Sequence, residues 1–385
     1  MTERETPRAD PQAPPADPQA AVLVCLDFGD EGFEESAAEL VHLVESAGVR
    51  RYQVVRGRRQ RPDAKLFAGQ GKVGEIAAAA EALNAGYVVF NHDLSPAQER
   101  NLEKVLVRRV MDRTSVILEI FGQRARTNEG KLQVELAQLE HLSTRLVRGW
   151  AHLERQRGGL GKTGGPGEKQ LELDRRLIGQ RVRMLRGKLD QLQRHRQVQR
   201  RARARRDVLS VSLVGYTNSG KSTLFNALTR ARTLAADQLF ATLDTTTRRV
   251  WLPGAGDVVL SDTVGFIRDL PHGLVAAFRA TLEETVRADI LLHVVDSASS
   301  VRELQIAEVD RVLAEIGAQG TRQILVWNKI DLGGAPPGIE RDECGTILRV
   351  RASARTGAGL ELVREAITEC ARGRTAAQPI SLQPL

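Results

Sequence analysis

The sequence predicts an α/β protein in three parts: a small parallel α/β domain, an antiparallel coiled-coil helical hairpin, and a larger doubly wound α/β domain. Three observations lead there. Strand-like apolar runs alternate with helical patterns from residue 20 to about residue 120, the order that folds as a parallel sheet covered by helices. Leucines then recur in steps of four and three on both sides of a glycine-rich break, which makes a seam for two packed helices. The strand–helix alternation resumes at residue 207, around the stretch GYTNSGKST (215–223).

In the first part, AVLVCLDF (21–28) predicts a buried strand and SAAELVHLVESAG (36–48) a helix that stops at Gly48. YQVVRG (52–57) predicts a second strand, KVGEIAAAAEALNAG (72–86) a second helix, and YVVFNHDL (87–94) a third strand. SPAQERNLEKVL (95–106) predicts a third helix, with Ser95 as N-cap and Pro96 at the first helical position. This domain is bounded at 20–125. The stretch before it, 1–19, is rich in Pro, Ala and acids with no apolar core, and is expected to be a disordered tail and not a signal peptide.

The hairpin is bounded at 126–206. Leu132, Leu136, Leu139, Ser143, Leu146, Trp150 and Leu153 form one seam, and Ile178, Val182, Leu185, Leu189 and Leu192 the other. Between them lies RGGLGKTGGPGEKQ (157–170), whose six glycines and a proline cannot continue a helix. The reading is a basic tip with its glycine loop at 158–167; a plain linker is the alternative. The stretch 176–206 carries arginine after arginine and only one acid, Asp190. That excess favours contact with a polyanion, RNA or DNA backbone, over a merely solvated helix face.

Composition narrows the class. The chain has 385 residues, 42% hydrophobic and 27% charged, with a net charge of +8, as in a globular protein of several domains. No segment approaches the roughly 20 apolar residues that span a bilayer, so no stable membrane insertion is expected. Cys25, Cys344 and Cys370 are far apart, without metal spacing, and suit a reducing compartment. A cytoplasmic monomer is expected.

The third part, 207–373, is followed by a tail at 374–385. VLSVSLVG (208–215) predicts its first strand and KSTLFNALT (221–229) its first helix. RRVWL (248–252) and DVVLSD (257–262) predict a hairpin turned at PGAG (253–256), and ILLHVVD (290–296), QILVWN (323–328) and ILRV (347–350) predict further strands.

The stretch at 215–223 fits Gly, any four residues, Gly-Lys-Ser, between a strand and a helix. That pattern is a P-loop, whose backbone N–H groups cradle phosphates. The cradle runs through Gly215, Tyr216, Thr217, Asn218, Ser219, Gly220, Lys221, Ser222 and Thr223. Lys221 is expected on the β- and γ-phosphates and Ser222 on Mg²⁺. DTVGF (262–266) ends the next core strand. There Asp262 is placed for the Mg²⁺ shell and Gly265 for the γ-phosphate, with Thr263 and Val264 between them. NKID (328–331) follows a strand. Asp331 can accept from guanine's ring N–H and exocyclic amine, a donor pair that adenine lacks on that edge. Asn328, Lys329 and Ile330 complete the motif, and SAR (Ser353, Ala354, Arg355) offers backbone to the guanine oxygen. The nucleotide read from these pieces is GTP, with GDP as product.

FATLDTTT (Phe240, Ala241, Thr242, Leu243, Asp244 and the threonines 245–247) is where a mobile segment closes over the γ-phosphate. Thr242 is the Mg²⁺ ligand chosen, with Thr245, Thr246 and Thr247 as competitors. Many GTPases place a water-orienting Gln just after Asp-any-any-Gly, whereas Phe266 stands here. Slow intrinsic hydrolysis is expected, helped by a partner or an ion. Asn218 is where K⁺ would be held, or it ties the loop.

LSPAQERNLE, DRTSVILEIFGQRA, KLQVELAQLEHL, GGPGEKQLELDRR, GYTNSGKSTLFN, FATLD and DTVGFIRDLP together resemble the HflX-type GTPases, in the Obg–HflX group of translation-factor-related GTPases. The resemblance spans 20 to about 372 and includes N-terminal segments foreign to GTPases at large. It implies a P-loop NTPase G domain in the third part. It also implies a GTPase that binds the large ribosomal subunit and its rRNA, splits or rescues stalled ribosomes under stress, and in some bacteria contributes to antibiotic tolerance. In that family the hairpin and its glycine loop approach the peptidyl-transferase region. An rRNA-binding assembly GTPase is the alternative. The family usually reads Leu-Asp-Pro-Thr where this chain has LDTTT, so Thr245 replaces Pro. Some members carry a further C-terminal domain.

Overall fold

The structure is a computed structural model describing residues 17–29, 32–148, 166–204, 208–229, 239–268 and 279–377. Of two compact units, the first comprises Met1–Ile117 and Val147–Gly158, the second Leu118–Leu146 and Gly159–Leu385.

The first unit holds β1 (Asp17–Asp27), β2 (Arg51–Arg58), β3 (Ala85–Phe90) and β4 (Arg109–Met111), all parallel in the order β2-β1-β3-β4. α1 (Phe33–Ser46), α2 (Gln70–Ala82) and α3 (Pro96–Leu106) lie between them. Val22, Leu26, Ile76, Val88, Phe90 and Leu102 share one core, each such side chain contributing about 1.5–3 kcal/mol on burial. Ser95 opens α3 with a capping box, its Oγ accepting from Gln98 N at 3.3 Å while Gln98 Oε1 accepts from Ser95 N at 3.0 Å.

Several boundaries differ from the sequence reading, β3 ending at Phe90 and not at Leu94, and one strand was missed. β1 begins at Asp17, inside the stretch expected to be tail, because Asp17 N donates to Asn84 O at 2.9 Å and Asp17 pairs with Ala85. α2 ends early because Asn84 takes a left-handed φ of 50°. Gly86 then lies so close to β1 that a Cβ would sit 2.6 Å from Asp17 O. β4 went unread, as three residues are too few to show a period.

α4 (Arg113–Arg124) spans the boundary between the units. Its buried run Val116, Ile117, Leu118, Ile120, Phe121 leaves only a narrow open stripe at Ser115, Glu119, Gly122 and Gln123, and the sequence reading left it unassigned.

In the second unit, α5 (Asn128–Arg148) and α6 (Pro166–Ala204) pack through Leu132, Leu136 and Leu139 against Val182, Leu185 and Leu189. Arg181 reaches Glu135 at 2.6 Å and Arg186 reaches Glu140 at 2.7 Å along the two flanks. Ser143 turns back to Glu140 O. Trp150, Leu153 and the Leu146 side chain lie outside the described residues. The expected tip is shorter at its far end. α6 already begins at Pro166, so Gly167 falls in its first turn, a place where proline's missing N–H costs nothing. Residues 158–165 lie outside the described residues.

The second unit's sheet has the order β10-β11-β9-β8-β5-β7-β6. β5 (Leu209–Val214), β7 (Gly256–Asp262), β8 (Ile290–Asp296), β9 (Arg322–Asn328) and β11 (Ile347–Arg351) are parallel, while β6 (Thr246–Leu252) and β10 (Gly338–Arg341) are antiparallel edges. α7 (Lys221–Thr229), α8 (Arg279–Val286), α9 (Arg302–Ile316), α10 (Ile330–Gly333) and α11 (Leu360–Ala377) complete it. The sequence reading missed β10, a four-residue edge. The parallel strands end together at Val214, Asp262, Asp296 and Asn328, the edge where open α/β sheets bind ligands. No helix among the described residues is long and apolar enough to cross a membrane.

Candidate nucleotide site

The loop after β5 must hug the sheet, and its glycines permit it. Gly215 has φ 147°, and a Cβ there would meet Val294 O at 2.2 Å; at Gly220, φ 92°, it would meet Asn328 Nδ2 at 2.2 Å. α7 opens directly behind, and first-turn amides have no acceptor within their own helix. Here they border a cleft together with Thr217, Asn218, Thr242 and Gly265. Gly220, Thr223, Phe240, Ala241 and Thr263 also line it. Tyr216 instead accepts from Arg268 N through its hydroxyl, at 2.8 Å.

Lys221 is buried and donates to Gly215 O at 3.0 Å and Tyr216 O at 2.7 Å. Burial pushes its pKa down to about 8, against the opposing pull of Asp262. Asp262 is held above the usual carboxylate range by burial, partly offset by the hydroxyl of Ser222.

Three oxygens converge beside Lys221. Ser222 Oγ lies 2.6 Å and Thr242 Oγ1 2.9 Å from Asp262 Oδ2, and the two hydroxyls are 2.7 Å apart. Asp262 Oδ1 is buried with no hydrogen-bond partner among the described residues. One carboxylate with two hydroxyls is the hard, oxygen-only donor set that suits Mg²⁺ shared with phosphates. Among the described residues there is no cluster of three or more His, Cys, Asp or Glu side chains to cage a metal without such help. Among the competing threonines, Thr246 opens β6 and Thr247 Oγ1 lies 3.2 Å from Ser261 Oγ, within the β6–β7 ladder.

DTVGF is stitched to the phosphate loop by its backbone. Phe266 N donates to Gly215 O at 3.1 Å, and Phe266 O accepts from Thr217 N at 2.7 Å. The Phe266 ring is fully buried, as Val264 nearly is. Gly265 packs so tightly that a Cβ would lie 2.9 Å from Thr217 Cγ2 and 3.0 Å from Lys221 Nζ.

At the base end, buried Asn328 ties two loops, donating to Ser219 O and accepting from Ala354 N, both at 2.9 Å. Ser219 of the phosphate loop and Ala354 of the loop after β11 are thus joined through their backbone by one side chain. Lys329 sits at φ 63° and pairs with Asp296 at 2.8 Å. Sequence reading missed Asp296, whose only signal was its place at a core strand's C-terminal end. Ile330 is buried, Arg355 is exposed, and Ser353 donates to Asp331.

Asp244 departs from the sequence expectation. Its carboxylate turns away from the cleft and accepts from Arg126 N at 2.8 Å, Thr127 N at 3.0 Å and the Thr127 hydroxyl. Leu243 is buried between it and Thr242.

Comparison with known proteins agrees with this geometry. Family models described as GTP-binding GTPase N-terminal, GTP-binding GTPase Middle Region and 50S ribosome-binding GTPase match residues 34–122, 124–203 and 210–329. The GTPase HflX of Escherichia coli is 54% identical over 95% of this chain and 86% of its own length. That of Magnetococcus marinus is 51% identical over 84% and 74%. A crystal structure of SsGBP with GDP superposes with a TM-score of 0.50 at 26% identity, covering 92% of this chain and 99% of that one. With a phosphate loop, a guanine-type base motif and this similarity along nearly its whole length, the chain belongs to the HflX family of GTPases and hydrolyses GTP.

Proposed function

We propose that this GTPase docks on the large ribosomal subunit in its GTP form, dissociates or rescues stalled ribosomes under stress, and leaves after hydrolysis. One observation carries the reading. α6 is a 39-residue helix whose described exposed residues include Arg175, Arg176, Arg183, Arg186, Lys188 and Arg194, and it ends just before the first strand of the GTP-binding sheet. A basic rod fixed to a nucleotide switch fits a polyanion whose occupancy follows the nucleotide. The family model over 210–329 is described as a 50S ribosome-binding GTPase, which supports rRNA as that polyanion.

In this reading the loop amides and Lys221 hold the phosphates, and Asp331 selects guanine. Ser222 and Thr242, backed by Asp262, would hold Mg²⁺, which when bound neutralises charge on the β- and γ-phosphates. The Gly265 amide lies beside the same phosphate. Phe266 has no polar side-chain atom and its ring is buried, so it cannot orient water. Unaided turnover is therefore slow. The missing help comes from the ribosome, or from K⁺ held at Asn218.

Sucrose-gradient sedimentation of ribosomes with the protein and a non-hydrolysable GTP analogue tests this. Whole ribosomes should give way to separate subunits, with the protein on the large one. Sedimentation with immature subunits alone would replace this reading with rRNA assembly.

A further inference from the structure

The segment 240–244 is gripped from two directions. On one side Thr242 meets Ser222 and Asp262. On the other, its flanking residues are held by α4 and by the base of the hairpin. Asp244 receives two backbone N–H groups and the Thr127 hydroxyl just before α5, and Thr127 Oγ1 in turn accepts from Gly130 N at 2.9 Å. The fit is tight enough that a Cβ on Gly130 would meet Asp244 Oδ1 at 2.3 Å. Phe240, buried at φ 54°, packs edge-on against Phe121 of α4 with centroids 4.7 Å apart. Thr242 is thus the midpoint of a five-residue span whose ends belong to the hairpin side.

We propose that Asp244 is a positioning residue for GTP hydrolysis: through Thr127 it anchors the 240–244 segment so that the Thr242 hydroxyl stays beside Ser222 and Asp262. The base of the hairpin then sets how well the site recognises the γ-phosphate with Mg²⁺, while GDP binding, which relies on the phosphate loop and base motif, is largely independent of it. A carboxylate accepting several N–H and O–H groups at a helix start is a strong, directional anchor. A leucine between anchor and ligand leaves little slack.

The test uses the full chain and four variants: Asp244→Ala, Thr127→Val, the double variant, and Thr242→Ala. Affinities for GDP and for a non-hydrolysable GTP analogue are measured across a Mg²⁺ series, with kcat and thermal midpoint alongside. Asp244→Ala should lower analogue affinity and kcat at least tenfold and raise the Mg²⁺ requirement, with GDP affinity within twofold. Thr127→Val should act in the same direction but more weakly, and the double variant should match Asp244→Ala. Equal loss of GDP and analogue affinity, or unchanged analogue affinity and kcat, would overturn the proposal, as would effects of the two substitutions that simply multiply. Thr242→Ala separates premise from inference. If it leaves the Mg²⁺ requirement unchanged, the ligand assignment falls and takes the proposal with it. If it shifts that requirement while Asp244→Ala does not, the proposal alone falls.

Discussion

The Ser353 hydroxyl donates to Asp331 at 2.5 Å while accepting from Thr356 N at 3.1 Å. The loop after β11 therefore orients the carboxylate that we propose reads the base. Each charge-assisted hydrogen bond contributes about 1.5–3 kcal/mol, so Asp331→Asn should cost GTP roughly 100-fold or more in affinity. It should gain xanthosine triphosphate, whose carbonyl accepts from the new amide. Ser353→Ala frees the carboxylate without removing it, and about tenfold weaker GTP binding is expected. Competition binding with GTP, ATP and xanthosine triphosphate measures both. Equal competition by ATP in the unaltered protein would refute the base assignment.

Lys221 makes binding depend on pH. Its pKa is about 8 in the free protein because burial disfavours the ammonium, and a polyphosphate beside it restores the charge. Below pH 8 the amine is already protonated and affinity should be flat. Above pH 8 binding must take up a proton, so affinity should fall by up to about tenfold per pH unit. Calorimetry above pH 8 in buffers of different ionisation enthalpy should register that uptake; heats that ignore the buffer would contradict it.

Restoring a glutamine at 266 should not restore hydrolysis. The ring of Phe266 is fully buried, so Phe266→Gln places an amide in the core at a cost of about 1–3 kcal/mol. A lower thermal midpoint is expected, with unaided kcat within about threefold of the parent, since position 266 points into the core and does not line the cleft. Exchange of Na⁺ for K⁺, and addition of large subunits, should each raise the rate instead. A K⁺ effect that survives Asn218→Ala would move the ion elsewhere.

Subunit binding should weaken with salt. Each phosphate contact released contributes about 0.7–0.9 to the slope of log affinity against log salt. Neutralising Arg194, Arg196, Arg200, Arg201 and Arg203 should flatten that slope and weaken binding, with GTP affinity unchanged. A slope that survives the five substitutions would place the contact outside α6.

Some of this was readable from the chain because the chemistry dictates residue types at fixed spacing. A Cβ at Gly215 would sit 2.2 Å from Val294 O and one at Gly220 2.2 Å from Asn328 Nδ2, so only glycine fits at either position. Phe266 declared its lack of a polar atom in the sequence itself. What stayed hidden was tertiary. Asp244 stands in a nucleotide-site motif, yet its carboxylate serves a helix start 117 residues earlier, and nothing local to FATLD encodes that. Asp296 became relevant only once β8 and β9 were side by side. α4 resisted assignment because its buried face is wide, leaving only a narrow stripe at Ser115, Glu119, Gly122 and Gln123 to mark a helical period.

The separation between Thr127 and Asp244 also orders events in time. A chain synthesised at about 5–20 residues per second needs roughly 6–25 s after making Thr127 before Asp244 exists to meet it. The phosphate loop is complete within that interval, whereas Asp331 and Ser353 come later still. A growing chain thus contains the residues of the phosphate loop first and those of the anchor next, but Phe266 and Asn328, which tie that loop in place, are made only after both. The cleft is therefore finished as a whole, when its late strands arrive.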